Sequence, residues 1–308
     1  MDAAGGGEFA LKVDKDIPGS RVHSQQEISI LTRVCPHPHI TNLIQSGDRC
    51  LLVEFGEVGD VISYIGSFYN DTAEMPIREV KTVALDVASA LVHCHMHGVV
   101  HFDVKPDNVI LNRDDRGDLR ARLCDFGMSK RLPVGALAYV RFGSLEYVSP
   151  EICSLAMGPE VDAWAFGLLL YVLTLRNIPF KRRRFQGLAE WQWTSAARRA
   201  TDEVGDPFAL DLILGLLKLE PRSRLTLNAA RNHPFFVELE SQEAGAPVYP
   251  AHSGLSCPVC SGHDPKLAAD VCALGFTDDD FRDALESATE TWPTAMLHAY
   301  VNMSQLTT

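Results

Sequence analysis

His101-Phe102-Asp103-Val104-Lys105-Pro106-Asp107-Asn108, followed 17 residues after Asn108 by Asp125-Phe126-Gly127, is the most informative stretch of this 308-residue chain. Moving the terminal phosphoryl group of a nucleotide asks for little covalent chemistry from a protein. It asks for a carboxylate near the attacking hydroxyl, a cation on the phosphates and oxygen ligands for magnesium. Asp103, Lys105, Asn108 and Asp125 supply those residue types within a short span. For either half alone, Asp and Asn capping turns in a polar loop stands as the lesser alternative. The two halves together favour the chemical reading.

The pair of motifs closely resembles the catalytic and magnesium loops of eukaryotic-type serine/threonine protein kinases. The resemblance implies that Asp103 orients a substrate hydroxyl and accepts its proton, and that Lys105 contacts the transferring phosphate. It implies that Asn108 and Asp125 hold magnesium through oxygen, the donor a hard cation prefers. ATP and magnesium are the cofactors it implies.

The likeness runs along nearly all of residues 9–238. Phe9-Ala10-Leu11-Lys12-Val13 resembles the strand whose lysine contacts the α- and β-phosphates, and Glu27 of Gln26-Glu27-Ile28 its partner from the next helix. Leu52-Val53-Glu54-Phe55-Gly56 resembles the hinge between lobes. Backbone groups of Glu54 and Gly56 would then bond adenine, with Val53 as gatekeeper and Asp60 near the ribose. Gly143 to Glu151 looks like the end of an activation segment, and Asp162-x-Trp164-x-Phe166-Gly167 like the buried helix after it. Arg224 matches the arginine that pairs with Glu151, because a buried charge needs its counter-charge. Lys105 after Asp103, and Ser144 after Gly143, resemble serine/threonine rather than tyrosine kinases, which carry Ala-Arg-type loops. Asn232-His233-Pro234-Phe235-Phe236 is most similar to the calcium/calmodulin- and AMP-regulated branch.

Three departures stand out. Only 11 residues precede Lys12, and Gly5-Gly6-Gly7 lies too close to it to be the family's G-x-G-x-x-G loop. The expectation is an N-terminally truncated, incomplete sheet lobe with weakened hold on ATP. Phe102 stands where the family usually has the arginine that reads activation-loop phosphate. Ser129 and Tyr139 do not sit like the usual phosphothreonine, so switching by loop phosphorylation is not expected. Ser149 replaces the usual alanine of Ala-Pro-Glu, a small change.

Composition agrees with a folded soluble protein: 46% apolar and 22% charged residues lie in the ordinary range. Met1 to Val13 lacks the basic and apolar regions of a signal peptide, and Asp2 rather than glycine follows Met1, so no leader or myristoyl anchor is expected. The longest apolar run, Ala163 to Leu175, is shorter than the ~20 residues of a bilayer span and reads as a buried helix. Eight scattered cysteines with one C-x-x-C pair do not make a disulfide framework, which implies cytosol or nucleus. Net charge is −12, with ten acidic residues against Lys266 and Arg282 from Leu239 onward. That balance argues against nucleic-acid binding, which needs a basic face. Lys181-Arg182-Arg183-Arg184 reads as a solvated loop.

Strands are expected at 9–13 and 50–55, helices at 24–34 and 80–96, and mostly helix from 150 to 236. The expected class is therefore α+β and bilobal: partial N-lobe and hinge at 1–59, helical C-lobe at 60–238, linker at 239–263, small helical tail at 264–303. Leu274-Gly275-Phe276, Phe281, Ala284-Leu285 and Ala295-Met296-Leu297 resemble a ubiquitin-associated domain. A helical hairpin packed on the kinase reads almost as well, so ubiquitin or an intramolecular tail contact is the partner expected besides protein substrates. His93 and His97 share a helix face at i, i+4, but no third metal ligand is evident. Cys257-x-x-Cys260-x-x-His263 lacks a second pair and reads as linker rather than zinc site. Against the enzyme stands a pseudokinase or scaffold, which the missing glycine loop favours and the intact Lys12, Glu27, Asp103, Asn108 and Asp125 disfavour.

Overall fold

Short apolar runs broken by Asp, Asn and Gly form strands between residues 7 and 131, longer periodic runs form helices among them, and from 160 to 236 the elements are helical. The computed structural model describes residues 7–14, 20–47, 50–67, 75–133, 135–138, 146–151, 157–180, 190–237 and 294–301. Lys181 to Arg184, Tyr139, Gly143 to Leu145, the linker 239–263 with its Cys257, Cys260 and His263, and the tail residues from Leu274 to Leu285 lie outside them. The chain divides into two compact units.

The first unit holds strand β1 (Gly7–Asp14), helix α1 (Ser20–Val34), β2 (Leu43–Ser46) and β3 (Cys50–Glu54). β1 runs antiparallel to β3 with Leu11 opposite Leu52, and β3 antiparallel to β2. Alternation along β1 puts Phe9, Leu11 and Val13 into one apolar cluster with Leu52, Ile44 and Cys50. Lys12 therefore projects from the opposite face. α1 ends at Val34, before Pro36 and Pro38.

The strand Thr294–Val301, β9, pairs antiparallel along the other edge of β1, giving the sheet order β2-β3-β1-β9. This corrects the expectation of helix at Ala295-Met296-Leu297. An edge strand presents a row of main-chain donors and acceptors that a second strand can satisfy. That requirement is invisible in the helix propensity of Ala, Met and Leu. The fourth strand of this sheet thus comes from the far end of the chain.

The second unit begins with β4 (Gly59–Asp60), α2 (Val61–Ser67), α3 (Ile77–Met96) and β5 (Val99–Val100). A 3-10 turn, Pro106–Asn108, leads into the hairpin β6 (Val109–Arg113) and β7 (Leu119–Leu123). β8 (Lys130–Arg131) pairs with β5. Helices α4 (Glu160–Leu175), α5 (Glu190–Glu203), α6 (Pro207–Leu216) and α7 (Leu227–Arg231) follow. α3 stops where Gly98 takes φ +67°, a conformation glycine adopts without strain.

α4 is buried along nearly its whole length, with Trp164, Phe166 and Tyr171 fully enclosed. Gly167 permits this: a Cβ there would stand 2.8 Å from Cβ of Leu216. Among the described residues no helix is long and apolar enough to cross a membrane. The Arg224 guanidinium makes a bidentate pair with Glu151, both contacts 2.6 Å, and lies 5.0 Å from the ring centroid of Trp164. Its Nε donates to Lys218 O at 2.7 Å.

A stack of histidines joins residues 37–39 to α3. The ring of His37 lies on that of His93 (centroids 4.4 Å apart), and His93 on His97 (4.2 Å). His97 Nδ1 is 2.8 Å from His93 O, and no group of three or more metal-ligating side chains is found among the described residues. Burial, then the neighbouring His93 and His39, lowers the pKa of His37 to about 3; burial lowers that of His39 to about 4.

Two outcomes follow from this packing. Arg224→Met leaves Glu151 half of a broken ion pair and should lower unfolding free energy by roughly 3–5 kcal/mol in urea titration. A loss below ~1 kcal/mol would show that the pair does not tie these segments. The depressed histidines mean the unfolded chain binds more protons than the folded one at mildly acid pH. Their stabilising effect is complete above the unfolded value near ~6.5 and is lost progressively as pH falls towards the folded values. Unfolding free energy should fall between pH 7 and pH 5, and His37→Gln should flatten that slope; an unchanged slope would remove His37 from the pH dependence.

Candidate active site

In the first unit, the strand alternation that turns Lys12 away from the apolar cluster turns it towards α1. Its Nζ donates to Glu27 Oε2 at 2.7 Å, with both side chains about nineteen-twentieths enclosed at 6% and 5% exposure. A lysine in such a place is costly unless paired, and Glu27 pairs and directs it. At the end of β3, Glu54 N–H donates to Asn42 O (3.2 Å), and its carboxylate accepts from Asn42 N–H (3.1 Å) and Nδ2 (3.0 Å). The N–H is thus committed, so an adenine at this position would use the Glu54 carbonyl. Gly56, two residues on, is buried.

In the second unit, Asp60 closes β4 and caps α2: its Oδ1 accepts from Ser63 N–H at 2.7 Å. The expected ribose contact therefore falls on a residue with a helix to hold. Farther along, the β6–β7 hairpin sets the spacing of the two motifs. Val109 pairs with Leu123, and Cys124 N–H donates to Asn108 O at 2.9 Å. The hairpin consumes the intervening residues and returns Asp125 beside Asn108.

Within the loop, Lys105 Nζ and Asn108 Nδ2 both donate to Asp103 Oδ2, at 2.8 and 2.9 Å. Asn108 Nδ2 also donates to Asp103 O at 2.8 Å. Asp103, Lys105 and Asn108 are all buried. The rotation of the Asp103 carboxylate is thereby fixed by a cation and an amide. Asp125 takes φ 59°, and its Oδ1 accepts from Gly127 N–H at 3.3 Å.

His101 supports this loop from beneath. Its Nδ1 accepts from Asp103 N–H (3.3 Å), which makes Nε2 the protonated nitrogen, 3.2 Å from Cys124 O. Burial pushes its pKa down, against the pull of Asp162, Asp103 and Asp125, so the ring is neutral. One imidazole thus ties the catalytic loop to the strand end before Asp125. Its edge meets the ring of Phe126 with centroids 4.8 Å apart.

Asp162 on α4 accepts from His101 N–H (2.8 Å, Oδ2), Phe102 N–H (2.9 Å, Oδ1) and His95 Nε2 (2.8 Å, Oδ2). Burial alone would raise its pKa; these donors outweigh it and hold the carboxyl below the usual range. The roles of His101 and Asp162 in carrying the loop were not read from the sequence. The only signal was their place inside the two motifs.

The donor set fits magnesium. Asn108 spends its amide nitrogen on Asp103, which turns its oxygen to the opposite edge, and Asp125 adds a carboxylate. Two oxygen-bearing residues suit a cation that takes its other ligands from phosphates and water.

A family model for the protein kinase domain matches residues 3–236. The chain is 30% identical over 265 residues to the phosphorylase b kinase gamma catalytic chain, liver/testis isoform, of Mus musculus, covering 78% of this chain and 63% of that one. It is 28% identical over 286 residues to the carbon catabolite-derepressing protein kinase of Candida glabrata, covering 87% and 44%. With NUAK family SNF1-like kinase 2 of Rattus norvegicus it shares 32% over 229 residues, covering 72% and 34%. The chain spans about three-fifths of the length of the phosphorylase kinase relative, and less of the other two. On the strength of this match and of the motif geometry, the chain belongs to the protein kinase domain family.

Proposed function

We propose that this protein transfers the γ-phosphoryl group of ATP to serine or threonine hydroxyls of protein substrates. The observation that carries the reading is the convergence of Lys105 and Asn108 on Asp103, with Asp125 returned beside Asn108 by the hairpin. The names of the relatives, all protein or phosphorylase kinases, support it.

Asp103 accepts a hydrogen bond from the substrate hydroxyl and takes its proton as the new oxygen–phosphorus bond forms. In the same step the bond from the γ-phosphorus to the bridging oxygen breaks and ADP leaves. Lys105 lies against the Asp103 carboxylate and supplies positive charge where the transferring oxygens gather it. Lys12, directed by Glu27, contacts the α- and β-phosphates. The Glu54 carbonyl and Gly56 N–H orient adenine, and Asp60 lies by the ribose. Asn108 and Asp125 would hold magnesium, which neutralises phosphate charge when bound. His101 keeps the loop in register without entering the chemistry.

We propose a reducing compartment, cytosol or nucleus, a reading supported by the scattered spacing of the eight cysteines. Residues 264–303 are proposed as a partner-binding tail, with ubiquitin or an intramolecular contact with the kinase domain as the candidate partners.

The test is transfer of labelled γ-phosphate to a serine/threonine peptide library. Asp103→Asn should lower turnover by roughly 10²–10⁴-fold while the folded state survives. Unchanged turnover would remove Asp103 from the mechanism, and no transfer by the parent chain would favour a scaffold. In thermal-shift titration, ATP should bind more tightly with magnesium, and Asp125→Ala should abolish that gain. A parent protein indifferent to magnesium would overturn the assignment of Asn108 and Asp125.

A further inference from the structure

Phe102 separates His101 from Asp103 and takes φ 66°, in the left-handed region that a bulky side chain avoids. Asp162 holds its backbone there through the Phe102 N–H. Its ring is held separately, packed against the apolar cluster of Val100, Ala138, Met157 and Val161, which Met128 and Leu132 also join. These residues come from three stretches: β5 ahead of the catalytic loop, the segment after Asp125-Phe126-Gly127, and the start of α4. Ala138 and Met157 exchange main-chain hydrogen bonds of 2.9 and 3.0 Å within the same cluster. The left-handed turn is what lets the ring enter this cluster while the next residue, Asp103, delivers its carboxylate to Lys105 and Asn108.

We propose that Phe102 is a positioning residue: its ring clamps Met128, Leu132, Ala138 and Met157 to the catalytic loop and so sets Asp103 for the incoming hydroxyl. The proposal rests on the phosphotransfer reading given above. Because the clamp is apolar, it holds without an added charge and does not weaken as salt rises. A loop tethered this way is ordered before substrate arrives.

Glycine at 102 separates ring from backbone. It adopts positive φ without strain, so if the ring did nothing the variant would be at least as stable and as active as the parent. The clamp predicts the reverse. Phe102→Gly should speed amide hydrogen exchange at Ala138 and Met157. It should also lower kcat by roughly 10–100-fold, the scale of a misplaced catalytic group, with KM for ATP unchanged. Phe102→Leu, which keeps apolar volume, should restore most of both. Parent-like exchange in Phe102→Gly overturns the clamp, and faster exchange with unchanged kcat overturns the positioning role. A fall in kcat that Phe102→Leu does not repair also overturns it. Exchange is read without turnover, so an inactive parent sinks the phosphotransfer reading while the clamp stands or falls on exchange alone.

Discussion

One buried carboxylate carries the catalytic loop. Asp162 is fully enclosed on α4, and it receives the N–H groups of His101 and Phe102 together with Nε2 of His95. A residue at φ 66° persists only where its surroundings over-determine it. Here the over-determination is a charge-assisted pair of hydrogen bonds from consecutive amides, anchored on helix α4, which is buried along nearly its whole length. Everything beyond the turn inherits its position: Asp103 follows directly, Lys105 and Asn108 close back onto Asp103, and the hairpin starts from Asn108.

The hairpin then sets the distance between the two halves of the motif. Its register, Val109 opposite Leu123, is enforced by burial of Val109, Leu111, Leu119, Ala121 and Leu123 on one face. A slip by one residue would turn that face outward. The spacing of 17 residues between Asn108 and Asp125 is therefore the length of a two-stranded excursion and back. This explains why the sequence motif carries so much information: residues far apart along the chain meet through local pairing alone.

What was legible in the sequence follows the same division. The residue types at 103, 105, 108 and 125, the strand around Lys12, the helix carrying Glu27 and the buried helix from 163 declare themselves by local pattern, while the Arg224–Glu151 pair was legible only through the resemblance to kinases. The structure brings Lys12 to Glu27 and Arg224 to Glu151. The unread features depend on contacts between distant stretches. Asn42 gripping Glu54 and His37 lying on His93 leave no periodic trace. The pairing of β9 with β1 is of that kind too: an edge's demand for a partner is a property of the sheet, while Ala, Met and Leu are better helix formers when read one at a time.

The choice of cation separates scaffold from chemistry. Where the structure needs a permanent tie, at Glu151, it uses arginine, whose planar fork meets both carboxylate oxygens and still reaches main-chain carbonyls of Lys218, Leu219 and Glu160. At positions 12 and 105, where the proposed reading has a phosphate arrive and leave, it uses lysine. An ammonium is a compact point charge on a flexible stem, able to follow a group whose oxygens move during transfer. A guanidinium at 105 would lock Asp103 into a bidentate pair and compete with the hydroxyl for its oxygens. The single-point contacts of 2.7 Å at Glu27 and 2.8 Å at Asp103 hold each lysine in place without committing it to a fork. Burial raises the strength of these charges and the cost of leaving them unpaired together. The carboxylates of Glu27 and Asp103 therefore serve the folded protein and, on the proposed reading, the reaction as well.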